Sequence, residues 1–178
     1  EAYAQTGVAA VGTSAMCVYQ QDDSAAGVAT DTTTIWAQRI DVAGAAVVMG
    51  AQFQITPAGS DCDFPSITKV SEGQVGVLPA RWIAVWQRYD GATPVARDWD
   101  VVGTQLLADD TAAGTFEAVG SAANDRHRIL PKVEGQRGRF LVAYAAVERA
   151  GVPKAAALQG KIMVAQRFDW PSGGAATS

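Results

Sequence analysis

The sequence predicts an all-β chain of about three four-stranded antiparallel units, and three observations carry that prediction. Trp36-Ala37-Gln38-Arg39-Ile40-Asp41 returns as Val164-Ala165-Gln166-Arg167-Phe168-Asp169, each copy following an apolar run that carries an aromatic. Such recurrence marks a tandem array of small units. Short runs alternate with period two along the chain, as strands do. Helix signals are poor: no stretch keeps apolar residues at three-and-four spacing behind a cap for more than about two turns. The best, residues 147–159, contains Gly151 and Pro153 and reads as an irregular connection, in which Ala155-Ala156-Ala157-Leu158 forms one helical turn at most.

The units follow in order. The first, residues 3–63, takes 15–20, 34–41 and 51–56 as strands. The second, 64–128, opens at Phe64-Pro65-Ser66-Ile67 and continues with 82–87, 100–107 and 115–119. The third, 129–170, opens at Leu130-Pro131 and continues with 140–144 and 161–169. Residues 171–178, Pro-Ser-Gly-Gly-Ala-Ala-Thr-Ser, read as a flexible tail. The repeat of about sixty residues exceeds the ~40–50 of a typical propeller blade, and loop insertions account for the excess.

Side-chain alternation says how the strands are covered. Ile83, Val85 and Gln87 point one way and Trp82, Ala84, Trp86 and Arg88 the other, so both faces are largely apolar and both need cover. Residues 140–144 read the same way. Gln52 and Gln54 alternate with Phe53 and Ile55, which suits an outer strand with one wet face. Trp36 and Trp86 are expected in the core, with Tyr19 and Tyr144 as counterparts of Trp86.

Composition bounds the function. At 178 residues and 48% hydrophobic the chain is one domain's worth and can bury a core. Apolar runs fall short of the ~18–20 residues of a membrane-spanning helix. A net charge of −4 argues against nucleic acid, which needs clustered Lys and Arg. The chain starts at Glu1 without Met, which reads as a processed product or an excised fragment and points to an extracellular, periplasmic or cell-surface location. In that setting Cys17 and Cys62 are expected to pair, closing a loop of about 45 residues for roughly 3–4 kcal/mol; the competing reading is two buried thiols.

Tyr19-Gln20, Ala37-Gln38-Arg39-Ile40-Asp41, Phe53-Gln54-Ile55-Thr56, Pro65-Ser66-Ile67 and Ala165-Gln166-Arg167-Phe168-Asp169 together resemble the propeller-type repeats of large secreted or surface-attached bacterial proteins. The middle unit departs, reading Gly103-Thr104-Gln105-Leu106-Leu107. The resemblance spans most of residues 15–170 and rests on packing positions, so it implies an extracellular binding or structural module and transfers no catalytic residue.

Chemistry is sparse. His127, the only histidine, lies in Asp125-Arg126-His127-Arg128, which reads as a solvated connection; a triad with Ser66 or Ser121 is formally open, without a nucleophile elbow to support it. One histidine and two distant cysteines make no zinc set. Acidic residues gather at loops in Asp22-Asp23, Asp61 with Asp63, Asp90 with Asp98 and Asp100, and Asp109-Asp110, without the Asp-x-Asp-x-Asp-Gly order of a loop that wraps calcium. Solvating charge is the simpler reading, and a calcium site around Asp90 to Asp100 is the best alternative. Trp99, between Asp98 and Asp100, is the tryptophan expected at the surface, where an indole flanked by carboxylates suits a sugar.

The sequence therefore predicts a β-propeller-like partial ring closed by a partner or a second copy, with a β-sandwich as the alternative. Its expected role is a non-catalytic structural or protein-interaction module, without a required cofactor. A carbohydrate-binding module using Trp99, Asp98, Asp100 and Asp90 is the second reading, and a hydrolase built on carboxylate pairs is the third.

Overall fold

A computed structural model describes residues 6–22, 32–71, 81–90, 98–107, 109–117, 126–136, 139–148 and 162–169. Within them the chain is all-β, in three antiparallel meander sheets of four, four and three strands, none closed into a barrel. The first sheet is β1 (Thr6–Val11), β2 (Ser14–Asp22), β3 (Thr33–Ala43) and β4 (Ala46–Gln54). The second is β5 (Asp61–Ser71), β6 (Arg81–Asp90), β7 (Asp98–Leu107) and β8 (Ala112–Glu117). The third is β9 (Arg126–Gln136), β10 (Arg139–Glu148) and β11 (Ile162–Asp169), and in each sheet the strands lie side by side in chain order.

The sheets stack face to face in chain order, with the second in the middle. One core joins Met16, Val18, Ile35 and Ala37 of the first sheet to Trp82, Ala84, Trp86, Val102 and Leu106 of the second. The other joins Ile83, Val85, Val101 and Phe116 of the second to Phe140, Val142, Tyr144 and Phe168 of the third. The two faces of β6 thus serve two different cores, which is why Trp82 to Val85 are all fully buried. Phe116, Phe140 and Phe168 meet with ring centroids 5.1–5.2 Å apart, inside the favourable range for aromatic pairs.

Leading strands carry the polar links between layers. The Trp82 indole N–H donates to Ala9 O of β1 at 2.9 Å, Val133 N to Ser66 Oγ at 3.2 Å, and Gly135 N to Thr68 Oγ1 at 3.1 Å. β5 and β9 share a local distortion as well. Phe64 (φ 55°) and Leu130 (φ 57°) are left-handed, each directly precedes a buried proline, and each sits where the strand register shifts. A bulky residue held there costs on the order of 1–3 kcal/mol, which the packing of Pro65 and Pro131 must offset.

Register settles how the three units correspond. Tyr19 pairs with Trp36, Trp86 with Val102, and Tyr144 with Val164, so these are equivalent rungs of the three sheets. On the next rung Val18 faces Ala37, Val85 faces Gly103, and Ala143 faces Ala165. The middle stretch Gly103-Thr104-Gln105 therefore aligns with Ala37-Gln38-Arg39 and Ala165-Gln166-Arg167. Gly103 stands where its counterparts are alanine because a Cβ there would lie 2.5 Å from Phe116 Cζ and 2.7 Å from Ala84 O.

Several expectations are corrected. Cys17 and Cys62 are free thiols, not a disulfide. Cys17 alternates with Met16 and Val18 and so faces away from the first core, whereas Cys62 is buried inside it. The first sheet lies between them, with Cys17 on its outer face and Cys62 of β5 in the core against its inner face. Residues 6–11 form a first strand ahead of those expected for the first unit, and β4 begins at Ala46, earlier than expected. Trp36 and Tyr19 are half-buried because no described strand stacks on the face they share, while Trp86 and Tyr144 are buried. The alanine run at 155–158 and the tail at 171–178 lie outside the described residues.

Candidate functional site

The residues singled out by sequence converge at one end of the second sheet. β6 and β7 bring Asp90 opposite Asp98, Tyr89 opposite Trp99 and Arg88 opposite Asp100. The connection between Asp90 and Asp98 (91–97) and the side chains of both residues lie outside the described part. Trp99 is half-buried, and its ring tilts 44° against Tyr89 at a centroid distance of 5.1 Å. This pair is a short aromatic ledge at a strand end, amphipathic enough to take a ligand ring on whatever edge is left open.

Asp100 is committed elsewhere. Its Oδ1 accepts from Arg128 Nη1 of β9 at 2.7 Å, and Arg128 is only 4% exposed. Arg128 also meets Tyr144 of β10; burial pushes that phenol above its usual range, and the guanidinium acts in the opposite direction. Nearby, Leu130 N donates to Gln87 Oε1 at 3.0 Å, with Gln87 itself buried. Arg88, the ladder partner of Asp100, pairs with Glu117 of β8 at 2.7 Å, both about half-exposed. The arrangement clamps the third sheet to the second through one buried guanidinium. Among the described residues it places no nucleophile beside a general base.

The other acidic groups serve as fasteners too. Thr33 Oγ1 lies 2.8 Å from Asp63 Oδ1, 2.9 Å from Cys62 O and 3.4 Å from Asp61 Oδ1, tying β3 to β5. A hydroxyl carries one hydrogen, so it serves one of these acceptors at a time. Burial raises the Asp63 carboxyl, with the Thr33 hydrogen bond opposing. Asp109 accepts from Thr111 Oγ1 at 2.6 Å within the β7–β8 turn, and Asp110 sits 3.3 Å from Arg39 Nη1, bridging that turn to the first sheet. Among the described residues no group of three His, Cys, Asp or Glu is placed to hold a metal ion. The calcium reading around Asp90 to Asp100 is left with Asp90 and Asp98, because Asp100 is held by Arg128.

His127 sits half-buried on β9 opposite Val147 rather than in a connection. Ser66 Oγ is engaged by the Val133 amide, and Ser121 lies outside the described residues. Arg128, Tyr89 and Gln87 are the site residues that sequence reasoning missed. One signal for Arg128 existed: Leu130-Pro131 echoes Phe64-Pro65, and the residues before Phe64 are strand, so those before Leu130 should be strand also.

Among the described residues no helix is long and apolar enough to cross a membrane. Compared with protein-family models, curated proteins and solved structures, the chain matches none.

Proposed function

We propose that the chain is a non-catalytic structural or protein-interaction module, working outside the cytoplasm as a unit or processed fragment of a larger assembly. The observation that carries the reading is the state of the two outermost sheet faces. Val8 on the first sheet is 62% exposed, and Leu141 and Met163 on the third are 45% and 72% exposed. Exposed apolar side chains grouped on a sheet face mark an association surface more often than a ligand pocket. The buried Arg128–Asp100 pair near the second sheet's end holds two layers together, as suits a scaffold.

The test is the mass and location of the native particle. Antibody detection after gentle fractionation of the source cells should find the chain in the secreted or surface fraction, in a particle heavier than 18.5 kDa. Recovery as a lone cytoplasmic monomer would reject the reading. A carbohydrate-binding role rests on the Tyr89–Trp99 ledge with Asp90 and Asp98 beside it. Glycan-array binding lost on Trp99→Ala would favour it, and a blank array would set it aside.

A further inference from the structure

We propose that the edge of β11 takes a fourth strand from a partner polypeptide, an antiparallel segment that carries a phenylalanine shortly after a glycine. The inference rests on the interaction-module reading above and states the partner's chemistry.

The first two sheets show what a completed edge looks like. β3 and β7 each pair on their far side with a last strand, β4 and β8, whereas among the described residues β11 ends the third sheet with only β10 beside it. The rungs of these three strands correspond: Ala37, Gly103 and Ala165 are equivalent, and Gln38, Thr104 and Gln166 come next. Phe53 stands opposite Ala37 and Phe116 opposite Gly103, each between polar residues, Gln52 and Gln54 in β4, Thr115 and Glu117 in β8. Just beyond, both ladders slip register, at Gly50 and at Gly114. Glycine is needed there: Gly114 is left-handed at φ 68°, and a Cβ on Gly50 would come within 3.3 Å of Arg39 O.

A side chain of the inner strand locks each slip. Gln38 Nε2 donates to Gly50 O at 2.9 Å, and Thr104 Oγ1 donates to Gly114 O at 2.5 Å. Gln166 holds that rung in the third sheet, and its buried Oε1 meets no hydrogen-bond partner among the described residues. Buried polar atoms are normally satisfied, so an orphan at the position that grips the last strand in both other sheets marks the place of a further strand. Ala165 is small and exposed, which leaves room for a phenylalanine opposite it. The chain's own segments of this type, Gly50-Ala51-Gln52-Phe53-Gln54 and Gly114-Thr115-Phe116-Glu117, are in place as β4 and β8, and residues 170–178 do not carry the pattern. The strand therefore comes from a partner and adds through main-chain hydrogen bonds, with the phenylalanine and the glycine fixing its register.

A synthetic peptide with the sequence of residues 46–56, added to the full chain and followed by hydrogen exchange, tests this. It should slow exchange in β11 severalfold and leave β3 and β7, already paired on both sides, unchanged. With Phe53→Ala the peptide should need about tenfold more concentration for the same protection, because one large apolar contact is lost. Methylating its backbone amides should abolish the effect, since strand addition uses main-chain donors. Gln166→Ala in the chain should weaken binding of the unchanged peptide while the urea unfolding curve stays close to wild type. No protection of β11 at millimolar peptide, or protection that survives amide methylation, overturns the proposal. Altered exchange in β3 without protection of β11 would show strand exchange in the first sheet and overturn it too. Either failure leaves the module reading standing, because the mass of the native particle decides that separately.

Discussion

Arg128 of β9 donates to Asp100 of β7 across 2.7 Å with its guanidinium almost fully buried, so one ion pair fastens the last sheet to the middle one. Breaking one partner of such a pair leaves the other charge stranded in a poorly solvated place. Asp100→Ala is expected to cost about 3–5 kcal/mol, read from the urea midpoint. The double change Arg128→Met with Asp100→Leu should recover most of that loss. A single variant within a few tenths of a kcal/mol of wild type would show that the pair is not a fastener.

Gly103 supplies a second test. Its added Cβ would meet Ala84 O at 2.7 Å, and a backbone carbonyl in the middle of a sheet cannot swing aside as a side-chain tip can. Gly103→Ala should therefore destabilise by about 1–3 kcal/mol despite the alanines at the equivalent rungs. Adding Phe116→Leu should recover part of the cost, because the ring is the other close contact. An alanine variant as stable as wild type would contradict the packing described between β7 and β8.

The thiols make a chemical prediction. Mass analysis after alkylation in denaturant should count two free thiols, and one bridged species would overturn the assignment. In the native state Cys62 should resist alkylation at mildly alkaline pH, since burial pushes its thiol from 9.0 up to about 12. The sign for stability follows. The folded state keeps this proton after the unfolded state has lost it, so the contribution is whole below pH 9 and declines between pH 9 and 12, at no more than about 1.4 kcal/mol per pH unit. Cys62→Ala should flatten the alkaline decline relative to wild type. Equal slopes for the two proteins would reject the cause.

Much of this was legible in the sequence, and the rest was hidden for definable reasons. The all-β class and the two-sided cover of β6 followed from alternation at Trp82 to Gln87, because a strand apolar on both faces has few other homes. Free cysteines were not legible, because whether Cys17 faces the same core as Cys62 depends on strand parity within a stack, and spacing along the chain carries no such information. The Arg128–Asp100 pair was hidden because a basic run resembles a solvated connection until the left-handed Leu130 is seen to lie inside a strand. Tyr19 and Trp36 have core-type sequence but end-of-stack positions, so residue type predicted burial that position withholds.

The two tryptophans still separate inside from outside. Trp86 is 4% exposed in the first core, so Trp86→Ala should cost about 3–5 kcal/mol, whereas the half-buried Trp99 should cost clearly less. Urea unfolding of both variants reads the difference, and matching midpoint shifts would refute the placement of Trp99 at the sheet's rim.

The central claim, that the outermost sheet faces of the stack are association surfaces, is tested most directly by hydrogen exchange on the purified chain and on the native particle. Assembly should slow exchange in peptides from β1 and β2 around Val8 to Tyr19, or in peptides from β10 and β11 around Leu141 and Met163. The already protected β6 should change little. Exchange that is the same in chain and particle at both faces would contradict the account.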